Sequence, residues 1–203
     1  MYLSRLDLDL RSPGNRRDLR NPYEMHATLQ RAAPGQGRIL WRQEGTKGVM
    51  AQLYVQHSEP LDAAILRDRS QDRTVIHAPL TIEENLVVEG SIHRFRLVAN
   101  PTVSRDKKRK AVVGMEEQSA WIHRKGGLHG FEVLGVVVTG EVMLGAKPLN
   151  SGRELIRYLQ VAYDGHLRIT DREALLSALH SGIGHAKAFG CGLLTLDRIY
   201  RRP

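Results

Sequence analysis

The sequence predicts an α+β fold with antiparallel sheets, arranged as two tandem ferredoxin-like domains of βαββαβ order. Its 203 residues can form one larger domain or two of roughly 100 residues each. Each half offers the order strand, helix, strand, strand, although the two halves share no detectable sequence repeat. We therefore predict an N-terminal domain over residues 1–88 and a C-terminal domain over residues 89–203.

The strands and the helix of the first half follow from residue periodicity. Apolar residues alternate with polar ones over 6–10 and again over 49–56, the period-two pattern of half-buried strands. A further strand is predicted over 39–44. A helix is predicted from Pro22 to about Ala33, where Pro-Gly ends it.

Strands of the second half are predicted over 92–99, 131–144, 155–162, 167–170 and 193–196. Asp164-Gly165 favours a tight turn, so two of these strands should form a hairpin. A helix should begin near Met115 and end before the pair Gly126-Gly127. Thr170 and Glu173 have the spacing of a capping box, which predicts another helix reaching about His180.

Composition narrows the class of protein. The chain is 41% hydrophobic and 26% charged, as expected of a packed globular protein, and no stretch approaches the roughly 20 apolar residues that span a bilayer. The first residues lack the apolar region of a secretory signal. The single cysteine, Cys191, excludes an intramolecular disulfide framework and is expected to be a packing residue. We expect a cytoplasmic protein with no membrane partner.

The charge balance favours a polyanionic partner. Thirty basic and 22 acidic residues give a formal charge of +8 and a pI near 9.9. Five of the six residues 105–110 are cationic, and we predict a basic loop there that binds phosphates. Its candidate ligands are Lys107, Lys108, Arg109 and Lys110. The competing interpretations are a disordered basic loop and a generally basic surface that keeps the protein soluble.

The start of the first predicted helix carries the strongest candidate site. Asn21 can cap this helix, Pro22 suits its first position, and Glu24 can complete a reciprocal cap. Residues three apart lie on neighbouring parts of one helix face, so Tyr23 and His26 can converge on one substrate atom. Tyr23 points away from the apolar stripe of the helix. An ordinary surface or interface role is the alternative for both residues.

Other catalytic arrangements lack residues that they need. His26-Ala27-Thr28 matches one element of the two-histidine phosphoesterases, but no other histidine has Ser or Thr two places later. The histidine pairs 123/129 and 180/185 lack typical zinc spacing, and one cysteine supplies no thiolate cluster. We interpret those histidines as surface or packing residues. The phosphate-binding motif of nucleotide hydrolases is absent from the sequence.

Three segments together resemble the CasE-type CRISPR RNA-processing endoribonucleases of the RAMP superfamily. They are Asn21–His26 with the preceding strand, 95–101 leading into the basic residues, and the glycine-rich segment 182–193. The resemblance implies two tandem ferredoxin-like folds. It also implies metal-independent cleavage of CRISPR repeat RNA at the base of a stem-loop, without a cofactor. The enzyme would then remain bound as a subunit of the type I-E Cascade complex.

The resemblance also assigns candidate residues. Tyr23 and His26 match the family's catalytic pair, and Lys187 matches a position near bound RNA. Arg31 stands close to a position where relatives often carry lysine and can substitute for it. Lys147 and Arg153 are candidates in the segment 140–153, which aligns poorly. Four glycines within 182–192, Gly184 among them, suggest close approach of the backbone to RNA.

The chemistry that these residues can support is attack by the RNA's own 2′-hydroxyl on the adjacent phosphorus. It leaves a 2′,3′-cyclic phosphate and a 5′-hydroxyl. His26, with an ordinary pKa of about 6.5, can act as base or acid. Tyr23, with an ordinary pKa of about 10, is better suited to orient the ribose. Arg31 and Lys187 can neutralise phosphoryl charge. Two alternatives stay open: a non-catalytic RAMP-type scaffold that binds RNA, and a basic protein that binds only other proteins.

Overall fold

The computed structural model describes residues 1–35, 37–147 and 154–202. The strands of the first unit are β1 (Tyr2–Asp9), β2 (Leu40–Lys47), β3 (Met50–His57) and β4 (Thr74–Ile76). Its helices are α1 (Pro13–Arg20), α2 (Pro22–Ala32) and α3 (Ala63–Ser70). The strands pair antiparallel in the order β4-β1-β3-β2, the order of a ferredoxin-like sheet.

The second unit repeats this topology. Its strands are β6 (Ile92–Ala99), β9 (Phe131–Ala146), β10 (Ile156–Ile169) and β11 (Leu194–Leu196). Its helices are α4 (Met115–Leu128) and α5 (Arg172–Ser181). The antiparallel order β11-β6-β10-β9 is again that of a ferredoxin-like sheet, so the predicted fold class is confirmed.

Three short strands and a terminal strand complete the described fold. A two-stranded hairpin is formed by β7 (Thr102–Arg105) and β8 (Lys108–Ala111). At the edge of the first sheet, β5 (Leu80–Ile82) pairs with β1 and with β12 (Tyr200–Arg201). The chain thus returns at its end to the first sheet. The division into domains at residue 88 stays a prediction.

Each unit has its own apolar core. In the first, Met25 and Leu29 of α2 are buried with Leu6 of β1 and Leu53 of β3. In the second, Trp121 of α4 stacks on Tyr163 of β10, with ring centroids 6.0 Å apart. Burying one face of each helix fixes where its other residues point, which matters most for α2.

Buried polar contacts join the two units. The guanidinium of Arg42 on β2 donates to the carbonyl oxygens of Arg96 and Leu193, at 3.2 and 3.0 Å. It also pairs with Glu44 at 2.7 Å, and Glu44 in turn accepts from Arg96 at 2.8 Å. Because Arg42 is almost fully buried, these partners hold β2 firmly against β6 and β11.

Two predicted breaks in the second half are wrong. The hairpin expected at Asp164-Gly165 is absent, because β10 runs through it without a turn. A Cβ on Gly165 would lie 2.2 Å from the carbonyl oxygen of Gly135 and 2.8 Å from the Phe95 ring, so this glycine serves close packing between strands. Likewise α4 continues through Gly126 and Gly127 to Leu128.

Three further elements differ from the sequence predictions. The basic residues expected in a loop instead form the hairpin β7–β8, with Asp106 and Lys107 in its turn at φ values of 55° and 58°. The predicted helix after residue 170 is capped by Asp171, which accepts from the N–H of Ala174 at 3.0 Å. Helix α1 escaped prediction because its sequence is mostly polar, with Leu19 as its only large apolar residue.

No helix in the described part of the chain is long and apolar enough to cross a membrane.

Candidate active site and nucleic-acid interface

The amino end of α2 is held in place from two sides. The Asn21 side chain caps the helix by accepting from the N–H of Tyr23 at 3.2 Å, and its amide donates to the carbonyl oxygen of Lys147 at 2.9 Å. The reciprocal cap expected from Glu24 is absent, because this carboxylate pairs with Arg17 at 2.6 Å. The helix start is therefore fixed against the end of β9.

His26 opens into a cleft of about 590 Å³ beside α2. Gln30, Arg38, His57 and Lys187 line the same cleft. The Nδ1 atom of His26 is buried and has no hydrogen-bond partner among the described residues. Burial lowers the pKa of His26, so the neutral imidazole predominates near pH 7.

Two cationic residues, Arg38 and Lys187, line this cleft together with His26. Burial lowers the pKa of Lys187, and the positive charges of Arg38 and Lys125 lower it further. Lys125 itself lies over the Trp121 ring, with Nζ 5.8 Å from its centroid. Cations that raise one another's energy in this way are suited to an anionic ligand, which would relieve their repulsion.

The cationic character continues outside the cleft. Burial lowers the pKa of His129 and of His185, and neighbouring cations add to the effect: Lys125 and Lys187 at both, and Arg109 at His185. Both rings are therefore neutral near pH 7, and their lowered pKa values mark the surface on which these cations cluster. We define that basic surface by six residues: Arg38, Arg109, Lys125, His129, His185 and Lys187.

Tyr23 lies to one side of the cleft and is absent from its lining. Its ring meets the edge of Phe189, with centroids 4.8 Å apart and planes inclined at 64°. Phe189 belongs to the 3₁₀ helix Lys187–Phe189, which also supplies Lys187 to the cleft. The phenol and the imidazole thus flank one short segment of the second unit. Cys191 is buried beneath it, and burial raises the pKa of that thiol to about 12.

The glycine-rich segment owes most of its glycines to packing within this chain. Gly182, Gly190 and Gly192 all have positive φ, and a Cβ at Gly190 would lie 2.9 Å from the Trp41 ring. Gly184, at φ +84°, lies over Trp121 with more space, since its Cβ would be 3.5 Å from that ring. Close approach of RNA at Gly184 stays a prediction.

The other predicted RNA-binding residues are spread over the surface. Arg31 is exposed near the end of α2, where its guanidinium donates to Thr28 Oγ1 at 3.0 Å, and it is not in the cleft lining. Lys147 is exposed beside the cap of α2. Arg153 lies outside the described residues. Lys107 is in the turn of the β7–β8 hairpin, followed by three exposed residues of β8: Lys108, Arg109 and Lys110.

Arg38, His57 and Lys125 were missed by sequence reasoning. Arg38 follows the glycines of the α2–β2 connection, while His57 ends β3 and Lys125 lies on α4. No motif joins them, because they come from both units and meet only after folding. The described residues contain no cluster of three or more His, Cys, Asp or Glu side chains suited to a metal ion.

The sequence model of the family described as "CRISPR associated protein" matches residues 1–198. The chain belongs to this family. It is 33% identical to the CRISPR-associated endoribonuclease Cse3 of Thermus thermophilus, over 97% of this chain and 99% of that protein. The resemblance drawn from the three sequence segments is thereby confirmed.

Solved structures of family members share the fold. The chain superposes on the CRISPR endoribonuclease Cse3 bound to a 19-nucleotide RNA with a TM-score of 0.85, at 32% identity, covering 97% of this chain and 99% of the other. A chain of a CRISPR RNA-guided surveillance complex in a pre-nicking state matches with a TM-score of 0.71 and 26% identity, covering 97% and 99%.

Proposed function

We propose that this chain is a cytoplasmic endoribonuclease that cuts CRISPR repeat RNA at the base of its stem-loop and remains bound as a subunit of Cascade. Family membership supports the class of enzyme, and the relatives described as RNA-bound or part of a surveillance complex support the partners. The observation that carries the proposal is His26, which faces a cleft flanked by Arg38 and Lys187.

The reaction needs neither a metal ion nor an external nucleophile. The 2′-oxygen forms a bond to the adjacent phosphorus while the bond from phosphorus to the 5′-oxygen breaks. One proton leaves the 2′-hydroxyl for a base, and another reaches the departing 5′-oxygen from an acid. The products are a 2′,3′-cyclic phosphate and a 5′-hydroxyl.

His26 is placed to move one of these protons. Because burial lowers its pKa, the neutral form that accepts a proton is the abundant one at pH 7. We therefore assign His26 the role of base. Tyr23, held against Phe189 by an edge-to-face contact, orients the ribose from the other side of the 3₁₀ helix.

Lys187 and Arg38 stabilise the charge that develops on the phosphoryl oxygens. Charge-assisted hydrogen bonds are the strongest of their kind, and removing one such donor from an active site typically lowers the rate by about 10²–10³-fold. The basic surface and the cations of β8 would bind the flanking phosphates, together with Lys147. Arg31 is not in the cleft lining, although Gln30 and Ala33 on either side of it are, and it would contact RNA outside the cleft.

The mechanism is tested with the repeat RNA of the CRISPR array in the genome that encodes this chain. In excess EDTA, the purified protein should cut this hairpin and leave cyclic phosphate ends. Rescue by Mg²⁺ of a reaction that EDTA abolishes would disprove metal independence. Continued cutting after the 2′-hydroxyl at the scissile position is replaced by hydrogen would disprove internal attack.

A non-catalytic RNA-binding scaffold is the alternative, and His26→Ala separates it from the enzyme. We expect this variant to lose about 10²–10⁴-fold in single-turnover cleavage rate, the range for general acid–base catalysis, while its Kd for the hairpin changes less than about threefold. Absence of cleavage by the unaltered protein would favour the scaffold.

A further inference from the structure

A second cleft lies on the far side of the 3₁₀ helix Lys187–Phe189 from the His26 cleft. It has a volume of about 530 Å³, within the range of small-molecule sites. Lys187 and Ala188 line the first cleft, whereas Ala186 and Phe189 line the second. This short helix is therefore the wall between the two. A strand that crosses it would have neighbouring nucleotides in both.

Asn100 lines this cleft with a largely buried polar side chain. Its side chain is only 8% exposed, and its Oδ1 atom has no hydrogen-bond partner among the described residues. Buried polar atoms are nearly always paired in folded proteins, so an orphan in a cleft wall points to a ligand that carries N–H groups. Nucleobase edges carry such groups, and asparagine is a common partner of adenine.

The remaining lining suits the other parts of a nucleotide. Phe189 provides aromatic surface, and the buried ring of Tyr158 supports it from behind, with ring centroids 5.3 Å apart. Met143 and Ile156 add exposed apolar surface to the same lining, 56% and 45% accessible. Apolar and aromatic groups of this kind accept a stacked base without regard to sequence.

Cations stand around this apolar surface. Arg109 reaches the cleft from the β7–β8 hairpin and Arg157 from β10, and the ring of His185, neutral near pH 7 because its pKa is lowered, lies in the same lining. Arg109 and His185 belong to the basic surface that continues to the His26 cleft. An uncharged peptide would leave the two arginines without a counter-charge, whereas a nucleotide brings its own phosphate.

We propose that the second cleft binds one unpaired base of the RNA next to the scissile position, with Asn100 at the base edge and Arg109 and Arg157 at the flanking phosphates. This inference rests on the proposed function and adds a site that selects the substrate. The base enters between Met143 and Phe189 and stacks there. The adjoining phosphate is thereby drawn over the 3₁₀ helix towards His26.

The test is an abasic scan of the repeat RNA, with the scissile 2′-hydroxyl replaced by hydrogen so that binding is measured without cleavage. Removing the base at one position beside the scissile bond should raise the Kd at least about tenfold. Met143→Trp, a change at an exposed position that fills the mouth of the cleft, should reduce this penalty to less than about twofold. Asn100→Leu should reduce the preference among the four bases at that position.

Val137→Trp is the matched control. Val137 is 63% exposed on the same strand as Met143, about 20 Å away along β9 at roughly 3.3 Å per residue. This variant should keep the full abasic penalty. Equal abasic penalties in Met143→Trp and Val137→Trp would overturn the inference. So would a scan in which removing no single base raises the Kd. A peptide occupant would give that same result.

Failure of the proposed function has a different signature. If the unaltered protein does not cut the unmodified hairpin, the nuclease assignment is wrong, while the abasic scan still decides whether the cleft takes a base. If the unaltered protein cuts the hairpin but Met143→Trp keeps the full abasic penalty, only the proposal for the second cleft is wrong. Thermal unfolding of each variant, compared with the unaltered protein, separates a blocked cleft from a lost fold.

Discussion

His26 shows how the properties of one residue depend on what covers it. A histidine in water has a pKa of about 6.5, but here burial lowers the pKa because the charged ring is poorly solvated. The neighbouring cations Arg38 and Lys187 share the cleft and favour the binding of an anion. A bound phosphate would add a negative charge and move the pKa of the imidazole upward again.

The pH profile of cleavage should report this environment. In the single-turnover rate at subsaturating protein, which reflects the free protein, activity should fall as pH drops through a value below 6.5 and should stay flat from there to pH 8. The loss at low pH follows because protonated His26 cannot act as a base. Single-turnover kinetics from pH 4.5 to 8 measure this limb, and at saturating protein, where the RNA is bound, the limb should lie at a higher pH.

Tyr23→Phe is the control for that profile. It keeps the ring against Phe189 and should leave the acidic limb where it is, while lowering the rate. An activity that rises as the pH falls below 6.5 would instead make His26 the general acid.

At the scale of elements, adjacent glycines in α4 have opposite reasons for being there. Gly126 faces β9, and a Cβ on it would lie 2.5 Å from the carbonyl oxygen of Phe131. Gly127 faces solvent, with no atom within 4 Å of such a Cβ. Only the first glycine is required, since it lets the helix end pack closely against the sheet that follows.

Alanine at the two positions should therefore have effects of opposite sign. Gly127→Ala should raise the free energy of unfolding by about 0.5–1 kcal/mol, because alanine loses less backbone entropy and favours helix. Gly126→Ala should lower it by about 1–3 kcal/mol, the usual cost of overpacking. Urea denaturation of both variants measures this pair, and equal effects would show that the helix does not end as described.

On the scale of the whole molecule, the site depends on how two similar units are joined. The 3₁₀ helix that carries Lys187 belongs to the second unit, yet it packs against α2 and β2 of the first. The buried guanidinium of Arg42 links β2 to the carbonyl oxygens of Arg96 and Leu193. Both clefts share that 3₁₀ helix as a wall, so their geometry requires this junction.

Arg42→Met should weaken the whole fold. It leaves buried carbonyl oxygens without donors and removes one partner of Glu44, so we expect a loss of about 3 kcal/mol in the free energy of unfolding. Arg96→Met, which removes two partly exposed ion pairs, one with the same glutamate and one with Asp164, should cost about 1 kcal/mol or less. Urea denaturation compares the two. Similar costs would mean that Arg42 does not hold the units together.

The sequence by itself determined the fold class and the family and predicted the pair Tyr23 and His26, because periodicity, caps and motifs are local patterns. It misplaced the turn at Gly165 and the helix end at Gly126, since a glycine in sequence does not reveal whether it serves a turn or a close contact. Only the tertiary structure brought Arg38 and Lys187 beside His26 and left Asn100 Oδ1, at a second cleft, without a partner among the described residues. These groups come from distant strands and helices, and their charges and hydrogen bonds act on one another only once both units have packed together.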